Sequence, residues 1–265
     1  MLIDDVANSI NELNDSFVRI RRELHQHPEL AFEEFWTSDY IADELTANGI
    51  DVLRGIGGTG ILGILKGANK GKIVMLRAQM DGLAIGEVDG RSYGTLIEGY
   101  SHACGHDVNM ALVLGAAKIL ARYRDRFDGQ IAFVFQPAEE PQLGARKMID
   151  DGLFRRIEPD YVIAHHPMDN LSSGKVVAQT GPIWGSVDVL KITIIGRKAE
   201  LDAPHGGADA MLAAGNVLTS IYAITQRERP LQEPVVIRVV SVKGPIADPM
   251  KFEPSDQVVE LVVRL

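Results

Sequence analysis

The sequence lacks the features that mark disulfide-stabilised, membrane-spanning and nucleic-acid-binding proteins. It has one cysteine in 265 residues, so no internal disulfide can form. No apolar run reaches the roughly 18–20 residues that span a bilayer, and the acidic start MLIDDVANSINELND is unlike a secretory signal. A net charge of −9 offers no basic surface to displace counterions from phosphates. We therefore expect a cytoplasmic protein with neither nucleic-acid nor membrane partners.

The apolar residues fall into helix-like and strand-like patterns. Spacings of three and four from Val6 to Leu24 predict an amphipathic first helix that Pro28 ends. Apolar runs predict buried strands at 60–65, 72–78, 130–136 and 160–166, and helices are predicted at about 33–47, 109–123 and 144–151. Strands that are apolar on both faces and alternate with helices indicate a mostly parallel sheet with flanking helices. We therefore predict an α/β domain over residues 1–183.

The pattern changes in the last third of the chain. Residues 187–195 alternate like a half-buried strand, and residues 208–227 have the length and periodicity of a helix. Two further strands are predicted at 235–242 and 256–265. This β-α-β-β order predicts a smaller α+β domain over residues 184–265.

Polar side chains with metal-binding chemistry follow the predicted strands or open a predicted helix. The set consists of Asp81, Cys104, His106, Glu139, Glu140, His165 and His166. Because the carboxyl ends of parallel strands meet at one edge of a sheet, we expect these side chains to lie close together. Thiolate, imidazole and carboxylate groups together favour a divalent metal such as zinc, manganese, cobalt or nickel.

Each residue of this set also has a simpler interpretation. A lone cysteine such as Cys104 is usually a small buried hydrophobic residue, and paired glutamates often lie in a solvated first helical turn. For a metal site, the helix N-terminus and the cation would both lower the pKa of the thiol. The adjacent Glu139 and Glu140 could then act as a general base and a ligand. A Cys104 nucleophile with His106 as its base is a weaker alternative, because the carboxylates suit a metal better.

Six segments resemble, in order, the aminoacylase and hippurate-hydrolase type of metallo-amidohydrolase, a family that includes hydrolases of indole-acetyl amino-acid conjugates. They are RRELHQHPELAFEE (21–34), LRAQMDGLAI (76–85), SHACGHD (101–107), FQPAEEPQLGARKMIDDGL (135–153), HPMDNLSSGKV (166–176) and APHGGADAMLAA (203–214). The resemblance implies a zinc-peptidase-like catalytic domain over residues 1–183 and an inserted lid or dimerisation domain over residues 184–265. It also implies a homodimer formed through the lid.

The resemblance implies a role for each matching position. Cys104 would bridge two divalent ions, while His106, Glu140 and His166 would complete the ligand set. Glu139 would be the general base that activates the attacking water, and Asp81 would orient the centre from behind. The reaction implied is hydrolysis of the amide bond of an N-acyl amino acid or a similar small amide.

The chain departs from the family pattern at four positions. Gln79 replaces a carboxylate, Asn109 replaces a histidine, and Lys251 replaces an asparagine of the lid. Glu200 stands where the family has a histidine that polarises the scissile carbonyl, and a carboxylate there would repel the developing oxyanion. We assign Glu200 and Asn109 to the substrate-binding part of the site.

The chain ends at Leu265, where the family continues with a segment that supplies a last histidine ligand. We therefore expect one metal to lack a ligand and an apolar sheet edge to be exposed. Three interpretations follow: the sequence is a fragment, a partner chain completes it, or the reaction has been lost. In the last case the chain would be a degenerate family member that acts as a binding or dimerisation module.

Overall fold

The computed structural model describes residues 2–88, 90–199, 202–227, 235–244 and 258–265, without the side chains of residues 225–227. The chain divides into two compact units, Met1–Gly174 and Lys175–Leu265. The predicted division lay nine residues later, at 183/184. Within the described residues, no helix combines the length and apolar character that crossing a bilayer requires.

The described part of the first unit contains five helices and five strands, with a short 3-10 turn at Arg124–Arg126. In chain order the elements are α1 Leu2–Gln26, α2 Phe35–Ala47, β1 Asp51–Ile56, β2 Gly60–Lys66, β3 Ile73–Gln79, α3 His106–Arg122, β4 Gln130–Gln136, α4 Gly144–Asp150, α5 Leu153–Arg156 and β5 Tyr161–Ala164.

These strands form a sheet in the order β1-β2-β4-β3-β5. Strands β4, β3 and β5 are parallel, and β2 runs antiparallel to both β1 and β4, so four of the five strands share one direction. Helices α1, α2 and α3 pack against one face around Phe133 and Phe135, and Met148 and Leu153 of α4 and α5 pack against the other. The predicted α/β fold with a mostly parallel, covered sheet is confirmed.

The start of α3, the presence of β1 and the position of β5 were not given by the sequence. Helix α3 begins at His106, three residues earlier than predicted, because Gly105 takes a left-handed φ of 82° and ends the preceding loop. Strand β1 was not predicted, since its sequence DVLRGI is charged and mostly exposed. Strand β5 lies at the sheet edge, with Tyr161, Val162 and Ile163 exposed by 60, 58 and 52%.

The second unit has the predicted β-α-β-β order in its described residues. Its elements are β6 Val189–Ile195, a 3-10 turn Pro204–Gly206, α6 Ala210–Arg227, β7 Arg238–Lys243 and β8 Val258–Arg264. The antiparallel sheet has the order β6-β8-β7. Ala210 and Ala214 of α6 pack against Val259 and Leu261 of β8, so one face of this sheet is covered.

Candidate metal centre

The parallel strands bring the candidate ligands to one edge of the first sheet. Strand β3 lies between β4 and β5, so the loops that follow these three strands are neighbours. Asp81 follows β3, Glu139 and Glu140 follow β4, and His166 follows β5. The first turn of α3 places His106 among them. The parallel arrangement thus explains why segments far apart in the sequence meet here.

Two overlapping groups of side chains surround His106. The ligand atoms of Cys104, His106 and His166 all lie within 4.8 Å of one another, as do those of His106, Glu139 and Glu140. The Cys104 Sγ is 3.5 Å from His166 Nε2. The His106 Nε2 is 3.5 Å from Glu139 Oε2 and 3.9 Å from Glu140 Oε1.

The close approach of the Cys104 and His166 loops depends on a glycine. Gly105 has a φ of 82°, and a Cβ atom at this position would lie 2.6 Å from Pro167 Cγ. A side chain at residue 105 would therefore push Pro167, and with it His166, away from the thiol. The glycine of the HACGHD segment is needed for both backbone conformation and packing.

Asp81 holds His106 and Glu140 from behind. The Nδ1 of His106 is 2.8 Å from the backbone oxygen of Asp81 and 3.4 Å from its Oδ1, while the Glu140 amide donates to Asp81 Oδ2 at 2.9 Å. Burial opposes the ionisation of Asp81, but these hydrogen bonds outweigh it and lower the pKa of the carboxyl group. With Nδ1 donating to Asp81, His106 presents its Nε2 lone pair to the cluster.

The unsatisfied atoms of the cluster fit a divalent cation. His106 Nε2 and Glu140 Oε1 are buried and have no hydrogen-bond partner among the described residues. A tetrahedral ion with zinc-like bond lengths would hold sulfur, nitrogen and oxygen ligands about 3.3–3.6 Å apart. The distance of 3.5 Å from Cys104 Sγ to His166 Nε2 agrees with this spacing, and His106 Nε2 lies slightly farther, 3.9 Å, from Glu140 Oε1. The residues present therefore suit a metal.

The thiol behaves differently from the sequence-based expectation. Burial, followed by the negative charge of Glu140, Glu139 and Asp81, raises the pKa of Cys104 to about 12. The helix N-terminus does not outweigh these effects, because three carboxylates lie close to the sulfur. The expected lowering of the thiol pKa thus depends wholly on the cation, whose positive charge reverses the local electrostatics.

Of four other residues that the sequence singled out, the structure describes His165 and Asn109. His166, not His165, approaches Cys104, and the ligand role of His166 stays a prediction. Asn109 is fully buried, and its assignment to the substrate-binding part of the site stays a prediction. Glu200 and Lys251 lie outside the described residues.

Gln79 and Asn109, two of the departures from the family pattern, contact each other. The Nδ2 of Asn109 donates to Gln79 Oε1 at 2.8 Å, and both side chains are buried. Asn109 Oδ1 and the neighbouring His165 Nε2 have no hydrogen-bond partner among the described residues. A neutral amide pair therefore joins the end of β3 to the first turn of α3.

The losses of stability from replacing Gln79 and Asn109 should not be additive, because each side chain depends on the other for its hydrogen bond. We expect Asn109→Leu to lower the free energy of unfolding by about 1–3 kcal/mol, because it leaves the Gln79 amide buried without its partner. The double variant Gln79→Leu/Asn109→Leu should lose clearly less than the sum of the single losses. Urea unfolding of the four proteins measures this coupling, and strictly additive losses would contradict it.

A charged network supports the residue next to His106. The Nδ1 of His25, in α1, lies 2.7 Å from Asp107 Oδ2, and its Nε2 lies 2.9 Å from Glu87 Oε1. The Nε of Arg21 lies 3.0 Å from the same Oδ2 of Asp107. The hydrogen bond with Asp107 raises the pKa of His25. Burial lowers this pKa, but the hydrogen bond with Glu87 also raises it, and the net shift is upward. Helix α1 is thereby tied to the start of α3.

The raised pKa of His25 sets the pH range in which it stabilises the fold. The protonated imidazole contributes fully below its unfolded-state pKa of about 6.5, and the contribution is lost as pH rises through the folded-state pKa. We expect His25→Gln to lower the free energy of unfolding by about 1.5–3 kcal/mol near pH 6, and by less at alkaline pH. Urea unfolding across pH tests this, with the exposed His205→Gln as control. A loss that stays constant with pH would contradict it.

Glu34, for which no role was predicted, is completely buried beneath the turn that carries Glu139 and Glu140. Its neighbour Glu33 is exposed. No signal in the FEEF segment distinguishes the two glutamates, since the difference arises where α2 begins.

Proteins similar to this chain include several that are named as hydrolases. It is 34% identical to thermostable carboxypeptidase 2 of Saccharolobus solfataricus, over 99% of this chain and 67% of that protein. It is 35% identical to the N-acetyl-L-cysteine deacetylase of Bacillus subtilis (100% and 63%) and 37% identical to the hippurate hydrolase of Campylobacter jejuni (87% and 60%). The chain thus spans about two thirds or less of the length of these relatives.

Solved structures show the same fold. A protein of methicillin-resistant Staphylococcus aureus superimposes with a TM-score of 0.89 at 31% identity, over 98% of this chain and 68% of that one. The Bacillus subtilis YXEP protein, described as a dinuclear metal-binding peptidase, superimposes with a TM-score of 0.77 at 28% identity, over 96% and 65%. The predicted family is confirmed. The prediction that the chain belongs to a class of metal-dependent hydrolases is confirmed as well. Since the pattern of peptidase family M20/M25/M40 matches residues 75–263, the chain belongs to that family.

Proposed function

We propose that this chain carries the catalytic centre of a metal-dependent amidohydrolase that cleaves the amide bond of an N-acyl amino acid or a similar small amide. The observation that carries the proposal is the pair of ligand groups that share His106, one with Cys104 and His166 and the other with Glu139 and Glu140. The names of the Bacillus subtilis deacetylase and the Campylobacter jejuni hippurate hydrolase support this substrate class.

Each residue of the centre has a distinct task in this proposal. Cys104, His106, Glu140 and His166 would hold two divalent ions, which would supply positive charge to polarise the amide carbonyl and lower the pKa of water. Glu139, whose side chain is 35% exposed, would accept the proton of the attacking water and deliver it to the leaving nitrogen. Asp81 keeps His106 in the tautomer that presents Nε2.

The finer assignments belong to the same proposal. The native metal would be zinc, manganese, cobalt or nickel, and the protein would act in the cytoplasm. Residues 1–183 would form the catalytic domain and residues 184–265 a lid that joins two copies. Exposed apolar side chains on the second unit, such as Leu212 (67%) and Ile195 (78%), support a homodimer, which light scattering of the purified chain would test.

Metal analysis combined with a substrate panel tests the proposed function. The purified chain is loaded with zinc, manganese, cobalt or nickel and incubated with N-acetyl, N-benzoyl and indole-acetyl amino acids, and with a blocked dipeptide to represent carboxypeptidase substrates. Release of a free amino acid from the N-acyl compounds, lost on chelation, is the expected result. Metal binding without turnover would favour the degenerate binding module, and preference for the dipeptide would favour a carboxypeptidase.

A further inference from the structure

Glu34 is a buried carboxyl group that lies outside the metal cluster. It immediately precedes α2 and has 0% exposure. Its Oε1 accepts a hydrogen bond of 2.8 Å from the backbone amide of Ala138, and its Oε2 accepts one of 2.5 Å from the hydroxyl group of Thr59. Burial raises the pKa of Glu34, although these two hydrogen bonds favour its ionised form. A carboxyl group in this setting needs its partners, because each would otherwise be buried unpaired.

The partner of Glu34 is a residue in an unfavourable backbone conformation. Ala138 has a φ of 47°, which a residue with a Cβ atom adopts at a steric cost that glycine avoids. The backbone oxygen of Ala138 accepts the amides of Leu143 and Gly144 at 3.3 and 3.0 Å, which closes the turn. A Cβ atom on Gly144 would lie 1.6 Å from the oxygen of Pro137, so this turn is tightly packed.

Ala138 directly precedes Glu139 and Glu140. Its backbone angles therefore decide where both carboxylates point, and the 3.5 Å distance from Glu139 Oε2 to His106 Nε2 depends on them. Strained backbone at a functional site persists when surrounding contacts hold it. Here a hydrogen bond from outside the turn reaches the strained residue, and its acceptor is the carboxylate of Glu34.

We propose that Glu34 is a positioning residue that holds Ala138 in its left-handed conformation and so aims Glu139 and Glu140 at the metal centre. The inference rests on the proposed function for the role of the two carboxylates. The hydrogen bond itself can be tested without any turnover. Thr59, which lies between β1 and β2, fixes the second oxygen of Glu34 and so sets the direction of the carboxyl group.

Hydrogen exchange tests the contact separately from activity. In the purified chain, we expect the exchange of the Ala138 amide to become at least about tenfold faster in Glu34→Leu, because the amide loses its acceptor. Glu34→Gln retains an oxygen at this place and should keep most of the protection. The exposed neighbour gives the matched control, Glu33→Gln, which should not change the exchange rate.

Steady-state kinetics with the best N-acyl amino acid test the positioning role. We expect Glu34→Leu to lower kcat roughly 10–100-fold with little change in KM, since small displacements of a catalytic group have effects of this size. Adding Ala138→Gly should recover kcat several-fold in the Glu34→Leu protein, because glycine adopts the positive φ without support. A purely structural role of Glu34 would lower the unfolding midpoint and leave no such recovery.

The outcomes separate this inference from the proposed function. If the wild type hydrolyses none of the compounds, the proposed function fails, while the exchange rate of Ala138 still decides whether Glu34 holds the turn. Unchanged exchange in Glu34→Leu, or no recovery of kcat on adding Ala138→Gly, would overturn the inference. If Glu34→Leu does not fold, Thr59→Val replaces it, because this change removes the hydrogen bond to Oε2 of Glu34. Thr59→Val should make the exchange of the Ala138 amide faster and kcat lower, both by less than Glu34→Leu would. No change in either would overturn the inference.

Discussion

Replacing Glu139 by glutamine is expected to lower kcat for amide hydrolysis about 10²–10⁴-fold, the usual contribution of a positioned general base. Glutamine has nearly the same shape as glutamate but cannot accept the proton of the attacking water. The Glu139 side chain is partly exposed beside His106, where a water and a substrate can reach it, whereas Oε1 of Glu140 is buried with no hydrogen-bond partner among the described residues, as a metal ligand would be. The two adjacent carboxylates should therefore respond differently to the same substitution.

Metal analysis of the variants separates the base from the ligand. Glu139→Gln should keep the metal content of the wild type and lose turnover, while Glu140→Gln should lose metal as well. Glu158→Gln, an exposed glutamate of the same unit, serves as the control and should retain both properties. If Glu139→Gln lost metal while Glu140→Gln bound it normally, the two roles would have to be exchanged.

Metal binding is expected to release the proton of Cys104. The pKa of the thiol is raised to about 12 by burial and by three nearby carboxylates, so the thiol is protonated at neutral pH when no cation is bound. A ligating thiolate must lose this proton. Metal affinity should therefore rise with pH, by about tenfold per pH unit for each proton released, up to the pKa of the metal-free thiol.

Calorimetry in buffers of different ionisation enthalpy counts the protons released. Cys104→Ala should release one proton fewer than the wild type and should bind metal more than about 100-fold more weakly, since even residues behind the ligands contribute 10–100-fold. The metal-free wild type should also react slowly with iodoacetamide at pH 7. Rapid alkylation, or a proton count unchanged by Cys104→Ala, would contradict this account of the thiol.

The secondary structure was predictable wherever the pattern was local. Strand β4 was predicted with both of its ends, because an apolar run is bounded by Gly129 and Pro137. Strand β1 was missed, since its side chains are mostly exposed and its place in the sheet comes from pairing with β2. Pairing between strands depends on the partner, which a single stretch of sequence does not reveal.

The candidate centre was predictable in composition more than in geometry. The ligand types could be read from HACGHD, QPAEE and the histidines after β5, because metal coordination demands particular atoms. The contact between Gln79 and Asn109 could not, although each residue had been noted as a departure. Two changes that look independent in the sequence turn out to be one buried pair.

By itself, the sequence determined which side chains can bind metal and that they would meet at the carboxyl ends of parallel strands, since strand direction follows from the alternation of strands and helices. Only the tertiary structure decided the 3.5 Å distance between Cys104 Sγ and His166 Nε2, 62 residues apart along the chain, and the contact between Asn109 and Gln79. It also decided the high pKa of Cys104 and the burial of Glu34. Burial and distance depend on how separate segments pack, and residue type alone does not specify either.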